Sequence, residues 1–159
     1  MTYSSLKKIA CLSVVATCLS AFPSYADQII SGSKPSDILD VAKGFGSAEL
    51  TKDSDGDPKI VGRMDGTRYA IYFYGCTSGA NCTNVVFTSS WSGYSVSLDD
   101  VNKWNMTKKF GRAFLDSDRD PNIDMAVNLR SGVTKGNLEA TFSWWQTAVK
   151  EFRKNVLKE

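Results

Sequence analysis

The stretch YFYGCTSGANCTNVVF, residues 72–87, constrains the fold of this chain more than any other. Cys76 and Cys82 enclose TSGAN, and Gly75, Gly79 and Asn81 supply the residues that turns need. Apolar residues lead into the first cysteine from Tyr69 to Tyr74 and out of the second from Val85 to Phe87. The pattern predicts a β-hairpin with a disulfide across its loop. In the chain-entropy account a loop this short contributes ~2.4 kcal/mol. The rival reading is a redox-active pair, but catalytic pairs usually take the form Cys-X-X-Cys at a helix start. Two lone cysteines in a chain without histidine also make a poor zinc site.

A disulfide implies an oxidising compartment, and the first residues predict how the chain would reach one. MTYSSLKKIACLSVVATCLSAFPSYADQ has a basic start at Lys7 and Lys8, an apolar run from Ile9 to Phe22, and small residues at Ser24 and Ala26. This is the layout of a secretory signal cleaved near Ala26, with residues 27–159 left as a single domain. A lipoprotein signal acylated at Cys18 is the alternative; Thr17 stands where such signals usually carry a smaller residue. Cys11 and Cys18 leave with the segment, as do Lys7 and Lys8, so 17 basic residues then face 17 acidic ones. A balanced charge offers no electrostatic footprint for nucleic acid or an anionic membrane. The expected location is periplasmic or secreted.

The remainder reads as helix, four strands, helix, two strands, helix, an α+β domain with helices covering one side of an antiparallel sheet. Pro35 opens the first helix, with Ile38, Leu39, Ala42 and Phe45 on one face, and Gly44 and Gly46 end it. Asp27 to Ser33 read as a loose lead. Ala48 to Thr51 and Ile60 to Arg63 read as short strands, and TRYAIYFYG as a strand covered on both sides. Ser97 and Asp100 form a capping box ahead of Leu98, Val101 and Trp104. FGRAFLD comes next, then a strand in which Ile123, Met125, Val127 and Leu129 alternate with polar residues. Thr134 caps a final helix whose stripe is Leu138, Phe142, Trp145, Val149, Phe152 and Val156.

Two segments repeat one device: DSDGDPKI at 53–60 and DSDRDPNI at 116–123. Carboxylates at alternate positions suit the start of an EF-hand loop. That loop then needs Gly at position 6 and Glu at position 12. Here those places hold Pro58 and Met64, and Pro121 and Val127. Tight β-turns are the better reading, with weak calcium binding as the alternative. Without histidine the chain lacks the usual general base. It also shows no phosphate loop and no nucleophile elbow. No catalytic, cofactor or metal residues are assigned.

The segments DSDGDPKI, YAIYFYGCTSGANCTNVVF, VNKWNMTKKFGRAFLDSDRDP and GVTKGNLEATFSWW resemble, in that order, the exported branch of the YbjN-domain family. The resemblance runs from about Pro35 to Phe152. It implies a fold similar to type III secretion chaperones and a role among sensory-transduction regulators, and it carries no catalytic residues. The expected function is therefore a non-enzymatic module that holds a protein or peptide, with a homodimer as a further expectation. A carboxylate-dependent hydrolase or calcium-responsive protein is the alternative. Trp104, Asn105 and Arg112 exceed what a turn-and-core account needs. Trp144 sits about 100° from Trp145 on the helix, at the margin of the buried stripe, and is read as core edge or partner anchor. These four make up the expected partner surface.

Overall fold

A computed structural model describes residues 27–159; the expected signal segment lies outside the described residues. The elements in order are β1 (Ile29–Ile30), α1 (Pro35–Lys43), β2 (Ser47–Lys52), β3 (Pro58–Met64), β4 (Thr67–Tyr74) and β5 (Asn84–Ser90). Then follow α2 (Leu98–Thr107), β6 (Arg112–Leu115), β7 (Pro121–Asn128), β8 (Val133–Thr134) and α3 (Lys135–Phe152), continued by a π-helical turn, Arg153–Leu157. Six strands form one antiparallel sheet in the order β2-β3-β4-β5-β7-β6. The α+β class and the order of the main elements agree with the sequence reading.

The local signals act where they were placed. Pro35 opens α1, and Gly44 caps it. Gly46 lets the chain turn against β3, because a Cβ there would lie 2.2 Å from the Arg63 carbonyl oxygen. The Ser97 hydroxyl accepts from the Asp100 N–H at 3.0 Å, and Asp100 reaches back to the Ser97 N–H. Thr134 accepts from the Asn137 N–H at 3.1 Å. Leu98 is exposed, because it stands in the first turn of α2 on the side away from the core.

One face of the sheet carries the core. Ile60, Ile71, Phe73, Val85, Phe87 and Ile123 point inward and are fully covered. All six residues of the α3 stripe are buried. Phe142 stacks on Phe45 at 5.2 Å and meets Phe87 edge-on at 4.9 Å. Truncating it to alanine would cost about 3–5 kcal/mol.

Two expectations are corrected. β4 is covered on one face only: Thr67, Tyr69, Ile71 and Phe73 are buried, while Arg68 and Tyr74 are exposed. Its apolar run misled because Tyr72 and Ala70 face outward, and Tyr72 carries the Lys59 ammonium 4.4 Å from its ring centre. The N-terminal lead is not loose. Ile29 and Ile30 pair with Thr134 and Val133 as a small second sheet. Gly32 then bridges Cys82, whose N–H donates to the Gly32 carbonyl at 3.1 Å.

The hairpin loop is closed as expected. Cys76 and Cys82 form a disulfide. Inside it Thr77 and Ala80 exchange backbone hydrogen bonds, and Ser78 and Gly79 turn the chain at φ 53° and 71°.

Candidate partner surface

Of the four residues expected on a partner surface, two belong to the architecture. Trp104 is buried at 3 % exposure. Its indole N–H donates to the Gly111 carbonyl at 2.8 Å, and its ring meets Phe152 edge-on. Asn105 does the work of a missing strand. Its Nδ2 donates to the Ala113 carbonyl at 3.0 Å, and its Oδ1 accepts the Ala113 N–H at 2.9 Å. An unpaired strand edge invites stray pairing, and this amide covers the outer edge of β6 at Ala113. Trp104 and Asn105 together dock α2 on β6; Trp104 is buried and so leaves the expected partner surface, while Asn105 stays exposed.

Arg112 and Trp144 do face solvent. Arg112 makes a two-pronged contact with Asp124, Nε to Oδ1 at 3.1 Å and Nη2 to Oδ2 at 2.5 Å. That carboxylate pushes the guanidinium pKa further up, through the hydrogen bond first and the charge second. Trp144 stacks on Phe110, ring centres 4.3 Å apart, and the two remain 49 % and 44 % exposed. The sequence reading missed Phe110. Its signal was the neighbouring Gly111, which at φ +78° turns the chain where a Cβ would strike Ile123.

That turn opens a notch in the sheet. β6 pairs with β7 only from Leu115↔Pro121 to Arg112↔Asp124, whereas β7 runs on to Asn128. The Trp91 N–H donates to the Pro121 carbonyl and the Leu129 N–H to the Thr83 carbonyl, both on the β5 side. Direction alternates along a strand, so the backbone groups of Ala126 and Asn128 point to the side that β6 has vacated. Among the described residues no strand pairs with them there. The depression at this place, ≈ 540 Å³, is lined by Phe110, Arg112, Val86 and Ala126 among others.

The aspartate segments do not assemble a cation site among the described residues. In each, the first aspartate folds its carboxylate back onto the turn. Asp53 Oδ1 accepts the N–H groups of Asp55 and Asp57 at 3.0 and 2.9 Å. Asp116 Oδ1 accepts those of Asp118 and Asp120 at 3.1 and 2.9 Å.

No helix among the described residues is long and apolar enough to cross a membrane. No curated protein matches the chain. The YbjN family, described as "Putative bacterial sensory transduction regulator", matches residues 35–158. That span reaches from the first turn of α1 to the end of the π-helical turn, and the description is of a regulator rather than of an enzyme. The chain belongs to the YbjN family.

Proposed function

We propose that this chain is an exported, non-catalytic regulatory module that binds an extended segment of a partner protein in the β7 notch. The observation that carries the reading is the exposed Phe110–Trp144 stack beside the open backbone of Ala126 and Asn128. An added strand gains main-chain hydrogen bonds at such an edge, and flanking pockets select its side chains. A rigid aromatic pair is the kind of anchor that dominates binding surfaces. Export is supported by the layout of residues 1–26 and by a disulfide of the kind that persists in oxidising compartments. The Asp-rich turns, whose leading carboxylates are spent on their own backbone, favour this reading over a hydrolase or a calcium-responsive protein.

Selection of random displayed peptides on residues 27–159 tests the proposal. Selected peptides should lose about tenfold or more in affinity on Trp144→Ala. They should also fail on Ala126→Pro, a change that removes an outward N–H and that a free edge tolerates. Peptides that bind both variants unchanged would place recognition elsewhere. Concentration-dependent dimerisation abolished by Ala126→Pro would make a second copy the occupant instead.

A further inference from the structure

A second cleft lies away from the notch, between the start of β4 and the last turns of α3, with a volume of ≈ 520 Å³. Pockets of a few hundred cubic ångströms with apolar walls and few polar groups are where small ligands bind. Met64, Trp145 and Val149 form the apolar wall. Lys150, Arg153 and Lys154 stand along the cleft, the last two supplied by the π-helical turn. Helical irregularities of this kind occur often at functional sites.

Arg153 is fixed across the opening. Its Nη1 donates to Thr67 Oγ1 on β4 at 3.1 Å, and its Nε holds the Glu159 carboxylate. Nη2 has no partner among the described residues, and neither Lys150 nor Lys154 has an ion pair there. Glu159, held also by the Tyr94 hydroxyl, shows that a carboxylate fits at this mouth. Asp65, the other acid of the lining, is engaged by Gln146 Nε2 at 2.8 Å. Lys150, Arg153 and Lys154 against Asp65 and Glu159 leave the side chains of the lining with an excess of one positive charge.

Tyr69 underlies the cleft, 5 % exposed, with a hydroxyl that finds no partner among the described residues. Burial pushes its pKa up to about 12, so it stays a neutral phenol at physiological pH. An unpartnered buried hydroxyl is unfavourable, and a phenylalanine would avoid it. The ring itself lies across Gly62, where a Cβ would come 2.6 Å from Cζ. Packing over that glycine accounts for the ring but not for the oxygen.

We infer that this cleft binds a small organic monoanion, a carboxylate on an apolar body, with the body against Met64, Trp145 and Val149 and the charge toward Arg153, Lys150 and Lys154. The site is independent of the β7 notch.

The test uses residues 27–159, 2-naphthoate as probe, and the indole N–H of Trp145 followed by NMR. A ligand of this size reaches a Kd of about 1 mM at ordinary efficiency, so saturation near or below that concentration is expected. The neutral 2-naphthylmethanol and the cationic 2-naphthylmethylamine should bind about tenfold more weakly or worse. Lys150→Glu with Lys154→Glu, both at exposed positions, should weaken naphthoate about tenfold and leave the fold intact. Trp144→Ala should leave it unchanged, which separates this site from the notch. No saturable shift, a cation that binds as well as the anion, or an affinity indifferent to the lysine reversals would each overturn the inference.

Discussion

The two Asp-rich turns have nearly the same sequence and the same hydrogen bonds, yet they are supported differently. In both, the first aspartate accepts two backbone N–H groups and its own N–H donates to the third aspartate's carbonyl. In both, the fourth residue has left-handed backbone: Gly56 at φ 86° and Arg119 at φ 63°. Glycine adopts that conformation freely, and an arginine does not. The second turn offsets this with Asn122, a buried amide donating to Asp116 Oδ2 at 3.0 Å and to the Asp120 carbonyl at 2.9 Å. In the first turn the matching residue is Lys59, which points at Tyr72 instead. The turn between β2 and β3 relies on backbone freedom; the turn between β6 and β7 relies on a side chain.

Removing that side chain should give the largest difference. Asn122→Ala removes a buried amide that donates to the half-exposed Asp116 and to the Asp120 carbonyl, and should cost about 1–1.5 kcal/mol in urea denaturation. Lys59→Ala should cost about 0.5 kcal/mol or less, the worth of an exposed cation over a ring. Equal costs would mean that the two turns are supported alike. The same variant should change the acid limb of stability. The Asp116 pKa is held below the ordinary carboxylate value, first by the Asn122 amide and then by the backbone N–H of Asp120. A depressed folded-state pKa contributes stability that is fully present above the unfolded value of about 3.9 and is lost as pH falls toward the folded one. Asn122→Ala should therefore flatten the fall in stability below about pH 4 relative to the parent.

Exchanging the fourth residues is a milder intervention. A Cβ on Gly56 would meet nothing within 4 Å, so Gly56→Arg tests backbone strain alone and should cost about 1 kcal/mol. Arg119→Gly relieves the same strain but adds freedom to the unfolded chain, so its net gain should be about 0.5 kcal/mol. Thermal denaturation of the two variants beside the parent checks both signs. A loss on Arg119→Gly would show that the arginine side chain contributes something its position does not reveal.

Legibility followed sequence distance. The disulfide hairpin, the Ser97 capping box and the α3 stripe were readable because spacing within a few turns or one loop decides them. β4 misled because tyrosine and alanine tolerate a half-open face as well as a covered one. The pairing of Ile29–Ile30 with Val133–Thr134 joins residues over a hundred positions apart, and two-residue strands carry no periodicity. Trp104 and Asn105 were read for a partner surface, but the groups they bond within the fold are backbone atoms of Gly111 and Ala113, which any residue type would supply. The notch arises because β6 stops before β7 does, and the Tyr69 cleft because α3 overhangs β4. Neither is a property of any single segment.

The smallest expected effect is that of calcium. A site with a Kd of about 1 mM would contribute about 1 kcal/mol at about 5 mM calcium and raise Tm by about 3 °C in a chain of this size. The turns should give less than about 1 °C, because Asp53 and Asp116 each spend Oδ1 on two N–H groups that a cation would have to displace. Asp116 also gives Oδ2 to Asn122, so any residual binding should be weaker in the second turn than in the first. A rise of several degrees that survives Asp53→Asn but disappears in Asp116→Asn would reverse that order. It would make the more heavily hydrogen-bonded turn the better cation site, and the Asn122 amide a clamp that calcium releases rather than a fixed support.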